Sequence, residues 1–600
     1  MNRRIVAALA AAVAAAALGQ GRLSAQDAGQ DYEAFFVRYM ERTLEAERIP
    51  GAAVALVRDG RVAYARGFGD ALCRDGEPGA AVDPALTAFN LGSTGKLLTW
   101  AAVLSLAERG ALDLDADVEG YLGYPLPEGP GGPITTRMLM THRAGFAESY
   151  GALYLSGPEA WRPLDALLAA TTPPRIYPAG EVMAYSNWGT ALAGSVVERI
   201  SGLSFDAYLR KTFLTPLSMD RTRAAPAQEC GEWVAALPCA PISGPVTDMA
   251  LFLSAILGGP AASSLSLSEA SRRALLEPAF ERAPGQGGMS LGLISSTMNG
   301  RRVLWHLGRT PRYATLIALL PDEGVALVAG FNRAPADEGR GLLPAFLDEF
   351  FPEERPEAGP AVAAAPRAGS RAVPGLYASA RVAAAGPARL LRYLGALRLQ
   401  DLSGPFAGAG PSYDPERDSA EIGLGPWRFD ASAEPPYPQL GGHRRLLPWE
   451  LDGRPWISVG PVDYYKMAWY EEPRFLSAAG IVGLTIAVFG LAYAALRRRR
   501  GPAARARLGF CAANAVFWLY GAAGLGFALV ELLGFGRSFV YPEAAMALVS
   551  WIFAAWPAGA VALAASALGR GRGNRSAFEL TLTALAFVGC AAAWAAGLIA

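Results

Sequence analysis

Four apolar stretches close the chain, at 475–496, 508–533, 544–568 and 577–600, and they constrain everything that precedes them. At about 1.5 Å per helical residue each reaches about 33 Å or more, enough to span a hydrocarbon core. The loop after the first stretch holds Arg497, Arg498, Arg499, Arg500, Arg505 and Arg507, and the loop after the third holds Arg570, Arg572 and Arg575. Between the second and third stretches stands Arg537, beside Glu531 and Glu543. Positive loops stay in the cytoplasm, so this pattern predicts four transmembrane helices with the region before residue 475 outside. With few ionisable groups inside the stretches, a membrane anchor is the simplest role, and a transport path is the alternative.

The other end of the chain agrees. Arg3 and Arg4 precede an apolar run at 5–18, and Leu23, Ser24 and Ala25 offer small residues ahead of Gln26. This predicts a signal peptide at 1–25, with an uncleaved N-terminal anchor as the alternative. Over the whole chain 54 Lys and Arg balance 54 Asp and Glu, with no basic block interleaved with aromatics, which argues against a nucleic-acid partner. Five cysteines in 600 residues exclude a disulfide scaffold, although Cys230 and Cys239 are spaced to close a short loop.

Residues 32–48 carry helical periodicity stopped by Pro50 and Gly51, and the apolar runs 52–57 and 62–68 flank Asp59-Gly60, a dipeptide suited to a tight hairpin. Strand patterns return at 303–307, 314–320 and 325–331, after a long helical middle. An α+β domain follows, in which strands from both ends of the segment share one sheet. The Pro- and Ala-rich residues 352–371 read as a linker, and 372–470, with short apolar runs among Gly, Pro and Asp, as a small β-rich module. No catalytic constellation is visible in that module, and its His443, in Gly-Gly-His-Arg-Arg, reads as a solvated turn.

The chemistry lies in three pieces. Ser93 opens a helical stretch and Lys96 follows three residues later, which brings the amine onto the face of the hydroxyl. A serine hydroxyl is a weak nucleophile until a base takes its proton, and a partly desolvated lysine can serve. Tyr185 and Asn187 straddle one residue ahead of another helix. Tyrosine near an ammonium can shuttle protons, and the asparagine amide can hold a lysine or a substrate carbonyl. The third piece is His306-Leu307-Gly308 on the first late strand, where glycine would let a substrate backbone lie against the edge. Each piece has a plain structural reading: a helix cap with a solvated lysine, a turn, a strand end.

In this order the three pieces resemble the serine β-lactamase and penicillin-binding-protein superfamily, in its class C-like branch of peptidases, esterases and β-lactamases. The resemblance extends to Ala111-Leu112-Asp113-Leu114-Asp115-Ala116-Asp117-Val118, to Thr141-His142-Arg143-Ala144-Gly145, to Thr247-Asp248-Met249-Ala250 and to Leu320-Pro321-Asp322-Glu323-Gly324, and covers roughly 31–351. It implies a fold of an antiparallel sheet with helices and a helical subdomain. It further implies Ser93 as the acylated residue, Lys96 and Tyr185 as general base and acid, and Asn187 and His306 as substrate-binding. The backbone at Gly308 and Arg309 would complete an oxyanion hole with the N–H of Ser93. The Lys-Thr-Gly common in penicillin-binding proteins is replaced by His306-Leu307-Gly308. His142 reads as structural and Asp248 as a helix cap.

The expectation is a membrane-anchored hydrolase facing the periplasm or exterior. It would cleave an amide or ester of a small-molecule or peptide substrate through an acyl-serine, with peptides containing D-residues or N-acyl groups first. An esterase, a β-lactamase or a sensor that acylates once are the alternatives. No metal-ligand spacing and no phosphate-cradling loop stands out, so no cofactor is expected.

Overall fold

The computed structural model describes residues 31–72, 79–148, 163–224 and 242–353 apart from 311, 336 and 338, then 373–382, 396–401, 421–424, 427–430, 436–439, 444–468 and 471. The predicted signal peptide, the apolar stretches 475–600, all five cysteines and His443 lie outside them. Among the described residues no helix is long and apolar enough to cross a membrane.

The first helix, α1 (Tyr32–Glu47), starts where the Asp31 carboxylate accepts the N–H of Ala34 at 2.8 Å. It ends where Arg48 takes a left-handed conformation ahead of Pro50, a residue that cannot continue a helix. Strands β1 (Gly51–Arg58) and β2 (Arg61–Gly69) form the hairpin expected from Asp59-Gly60. Both turn residues have positive φ, 48° and 71°, as a two-residue hairpin turn with matching twist requires.

Helices α2 (Lys96–Glu108), α3 (Asn187–Ser201) and α4 (Val246–Ile256) follow. Then come β3 (Phe280–Glu281), β4 (Gly288–Met289), β5 (Ile294–Met298), β6 (Arg301–Arg309), β7 (Ala314–Leu320), β8 (Val325–Phe331) and α5 (Leu342–Phe350). The strands make one antiparallel sheet in the order β2-β1-β8-β7-β6-β5-β4-β3. The early hairpin therefore lies beside the late meander. β1 is buried along nearly its whole length because successive side chains enter two different cores. Ala53, Ala55 and Val57 face α2, α3 and α4, whereas Ala52, Val54 and Leu56 face α1 and α5. On that second face Phe36 stacks on Phe346 at 6.0 Å and Phe35 meets Phe350 edge-on at 5.2 Å. Phe36 is fully buried, and truncating it to alanine costs about 3–5 kcal/mol.

The second module is a small barrel. Its strands are β9 (Gly375–Ser379), β10 (Leu397–Asp401), β11 (Glu421–Leu424), β12 (Trp427–Asp430), β13 (Tyr437–Pro438), β14 (Arg445–Leu451), β15 (Arg454–Val459) and β16 (Val462–Lys466). They pair in the order β12-β11-β10-β9-β16-β15-β14-β13, and a bridge between Phe429 and Gln439 joins the two outer strands. Closure removes the open edges of the sheet. Tyr377, Leu399, Phe429, Leu446, Ile457 and Val459 form its interior cluster.

The barrel docks on the first domain through a second apolar cluster, in which Leu376, Ala378, Trp456 and Tyr465 meet Val182 and Ala184. A polar clamp accompanies it. Asp463, 2% exposed, pairs with Arg282 at 2.6 Å and accepts the N–H of Met183 at 2.9 Å. The contact thus falls on the loop that carries Tyr185.

Candidate active site

The serine sits where a turn meets a strand. Gly92–Gly95 form one 3-10 turn that runs into α2, so Ser93 precedes the α-helix and Lys96 is its first residue. Helix α2 is buried on every side from Lys96 to Leu106, which makes it the central helix and fixes the turn at its head. The Lys96 Nζ donates to Ser93 Oγ at 2.8 Å, with Lys96 1% exposed and Ser93 partly open.

Strand β6 supplies the opposite wall. Alternation turns Leu304, His306 and Gly308 towards the helical layer and Trp305 and Leu307 towards α5. Gly308 has a reason the sequence did not suggest. A Cβ there would lie 2.0 Å from the carbonyl oxygen of Leu91 and 2.1 Å from Thr315 Oγ1. The glycine therefore admits the protein's own serine turn, rather than a substrate backbone. Leu91 O in turn accepts from Thr94 N at 3.2 Å, Thr94 Oγ1 at 2.8 Å and Thr315 Oγ1 at 2.7 Å. Gly92, at φ 51°, lies with the Arg309 N–H 3.0 Å from the place of its absent Cβ, so the backbone ends of the turn and of β6 adjoin.

Tyr185 comes from the segment before α3. Ser186 caps that helix by accepting the N–H of Gly189 at 2.9 Å, which makes Asn187 the first helical residue rather than part of the loop. The Tyr185 ring lies 5.2 Å from Lys96 Nζ and 5.9 Å from the His306 ring, and its hydroxyl is buried without a hydrogen-bond partner among the described residues. Asn187 is 7% exposed. The structure therefore brings Ser93, Lys96, Tyr185 and His306 together, with Gly308 and Arg309 on the adjoining strand end and Asn187 two residues past Tyr185.

Two imidazoles border the lysine, and both stay neutral. Burial, reinforced by Lys96, pushes His306 down to about 4, against a 2.7 Å contact of its Nδ1 with Leu307 O. That carbonyl can only accept, so Nδ1 carries the proton and Nε2 is a bare acceptor. His142 is also held well below the ordinary range, by burial first and then by Lys96, His306 and Arg381. Its Nδ1 accepts the N–H of Ser186 at 3.3 Å, its carbonyl accepts the N–H of Ala184 at 2.9 Å, and its ring lies 4.1 Å from that of Tyr185. His142 thus pins the tyrosine segment on both sides of Tyr185. This gives the structural reading of His142 a definite job.

The residue that sequence reasoning missed is Arg381, just past β9. Its guanidinium lies 4.9 Å from the Tyr185 ring and its Nε donates to Glu148, 233 residues away, at 2.5 Å. No motif surrounds Arg381, and only docking of the barrel brings it to Glu148 and Tyr185. The barrel is therefore part of the site's wall, although its own sequence carries no catalytic pattern. Among the described residues no cluster of His, Cys, Asp and Glu is arranged to hold a metal ion.

Comparison with known proteins follows the same outline. The family model described as Beta-lactamase matches residues 36–349. "Protein flp" of Staphylococcus aureus strain N315 is 26% identical over 187 residues, 31% of this chain and 37% of its own length. The monacolin J acid methylbutanoyltransferase of Aspergillus terreus is 30% identical over 207 residues, 30% of this chain and 48% of its own. The chain thus spans well under two thirds of the length of these curated relatives. Among solved structures, the octameric penicillin-binding protein homologue from Pyrococcus abyssi aligns over 73% of this chain and 100% of its own, at 18% identity and a TM-score of 0.45. The D-stereospecific amidohydrolase from a Streptomyces species aligns over 54% and 99%, at 21% identity and a TM-score of 0.43.

Proposed function

The chain belongs to the beta-lactamase family, and from that membership we propose that it is an acyl-serine hydrolase. The observation that carries the reading is the 2.8 Å contact of Lys96 with Ser93 beside the buried ring of Tyr185. Ser93 Oγ attacks the carbonyl of an amide or ester while Lys96 takes the hydroxyl proton. The N–H groups of Ser93 and Arg309 stabilise the oxyanion, and collapse of the tetrahedral species expels the leaving group with a proton delivered through Tyr185. Asn187 and His306 orient the substrate. Water, deprotonated by the same groups, then attacks the ester carbonyl, frees the acid and restores the Ser93 hydroxyl.

The substrate we favour is a peptide or amide with a D-residue or an N-acyl group, ahead of simple esters and β-lactams. His306-Leu307-Gly308 in place of Lys-Thr-Gly counts against β-lactams and D-Ala-D-Ala peptides as the substrate. We further propose that a cleaved signal peptide and the helices at 475–600 hold the catalytic domain at the outer face of the membrane. The arginine-rich loops support this orientation.

The test is intact mass after incubation of the full chain with a fluorophosphonate. A single adduct that requires both Ser93 and Lys96 supports the reading and justifies comparing D-peptide, ester and β-lactam turnover. An unlabelled but folded wild-type chain refutes it, and a single stoichiometric acylation by a β-lactam without release favours the sensor.

A further inference from the structure

The barrel reaches into the first domain with one buried carboxylate. We propose that Asp463, on β16, is a positioning residue that sets Tyr185 through the backbone of Met183, so that the serine reacts at full rate only with the barrel docked. This role rests on the acyl-serine reading above and adds a control of the same site.

Tyr185 lies in a segment, 182–186, that forms neither helix nor strand. No ladder or helical turn holds it, so its place depends on what its backbone groups find nearby. The Tyr185 hydroxyl has no hydrogen-bond partner among the described residues, so the side chain does not anchor itself through its polar end. Holds are found on both sides of it. His142 accepts the N–H of Ala184 and the N–H of Ser186, at 2.9 and 3.3 Å. Two residues before Tyr185, Asp463 Oδ2 accepts the N–H of Met183 at 2.9 Å, from 280 residues away in sequence. Val182 and Ala184, which flank Met183, pack into the apolar cluster of the barrel. The barrel thus engages three consecutive residues, and the next one is Tyr185.

Asp463 is itself held firmly. It is 2% exposed, its Oδ1 accepts from the Ser458 hydroxyl, and its carbonyl accepts the N–H of Ala380 at 2.9 Å. Arg282 donates to Asp463 Oδ2 at 2.6 Å, to Ser458 Oγ at 3.1 Å and to Glu181 O at 2.7 Å. A hydrogen bond from a backbone N–H to an ionised carboxylate is about twice as strong as one between neutral groups. For a latch between the two domains the Arg282 pair would suffice. The second bond, to a backbone N–H beside the tyrosine, is what an anchor for Tyr185 requires.

The experiment uses the full chain, with p-nitrophenyl acetate for kcat and KM and a fluorophosphonate to count reactive serines. In Asp463→Ala, kcat per labelled serine should fall on the order of 100-fold, the effect of about 1 Å in reacting geometry, with KM nearly unchanged. Asp463→Asn separates positioning from stability. Its amide oxygen can still accept the Met183 N–H while its nitrogen donates to Ser458 Oγ, but the ion pair with Arg282 is gone. Its urea midpoint should fall with that of Asp463→Ala, whereas its kcat should stay close to that of wild type. Met183→Pro deletes the N–H and leaves the Arg282 pair intact, so it should lose kcat as Asp463→Ala does, and it gives the reading if that variant does not fold. A role in stability alone would lower the number of labelled serines and leave kcat per labelled serine unchanged. That result, equal losses of kcat in Asp463→Ala and Asp463→Asn, or wild-type kcat in Met183→Pro overturns the proposal while leaving the acyl-serine reading in place. No adduct on wild type overturns both.

Discussion

Replacing Gly308 with alanine tests whether the serine turn is positioned by strand β6. The new Cβ would stand 2.0 Å from Leu91 O and 2.1 Å from Thr315 Oγ1, where ordinary contacts begin at 3.4 Å. One side must retreat by about 1.4 Å, well beyond what a close-packed interior absorbs without loss. The group that must move is the carbonyl that accepts from Thr94 N, Thr94 Oγ1 and Thr315 Oγ1. Losing two or three such bonds, at about 0.5–1.5 kcal/mol each, predicts a destabilisation of about 1–4.5 kcal/mol. The catalytic consequence is larger. Ser93 lies two residues beyond Leu91, and a displacement of about 1 Å in reacting geometry can cost on the order of 100-fold in rate. The rate of fluorophosphonate adduct formation, read by intact mass beside a urea denaturation curve, checks both. Wild-type labelling and an unchanged urea midpoint in Gly308→Ala would refute the assignment of this glycine to the serine turn.

Three further outcomes follow from the geometry. Asp463→Ala removes the partner of Arg282 from a site only 2% exposed and should cost about 3–5 kcal/mol, seen as a lower urea midpoint and earlier proteolysis at the barrel. His142→Ala strands the buried N–H of Ser186, at about 1–3 kcal/mol, and should slow labelling of Ser93 by loosening the Tyr185 segment. The pH dependence of stability holds opposing contributions. His306, lowered from 6.5 to about 4 when folded, contributes stability fully present above about 6.5 and lost by about 3 kcal/mol as pH falls to about 4. Asp248, raised by burial from 3.8 to about 6, does the reverse, since its burial cost of about 3 kcal/mol is complete above pH 6 and relieved as pH falls through that window. Urea midpoints between pH 4 and 7 should therefore fall less steeply with acid in His306→Asn than in wild type, and more steeply in Asp248→Asn. Parallel curves for all three proteins would contradict these assignments.

Much of the architecture could be read in advance because it follows from local chemistry. Asp59-Gly60 between alternating runs admits few conformations other than a hairpin, and Pro50-Gly51 cannot extend a helix. The late meander shows in its β-branched and leucine-rich runs around Pro321-Asp322-Glu323-Gly324. The Ser93 and Lys96 pairing is equally local, since helical spacing alone makes the two side chains neighbours. What stayed hidden depends on distance along the chain. The fit of Gly308 against Leu91 joins residues remote in sequence, and nothing near either one announces the other. Among the described residues, the closure of the barrel rests on the bridge between Phe429 and Gln439. Arg381 is one arginine among many until docking lays it on Tyr185. Even locally, the switch from 3-10 to α-helix at Lys96 escapes periodicity, because both helices turn the same way through so few residues.

The pairing of β1 with β8 also has a consequence in time. Ala52 and Phe331 are partners in one ladder, so the first hairpin must wait for a strand roughly 280 residues later. At a synthesis rate of about 5–20 residues per second, that wait lasts roughly 14–56 seconds. During it, Ala52 to Val57 present an uncovered apolar ribbon, a state prone to pairing with the wrong partner. The nucleophile is made early, yet its surroundings are assembled last, once β6, β8 and finally the barrel arrive. An interrupted or truncated chain should therefore carry a serine with no activity. The order of synthesis itself keeps the Ser93 turn without its full surroundings until the barrel has been made.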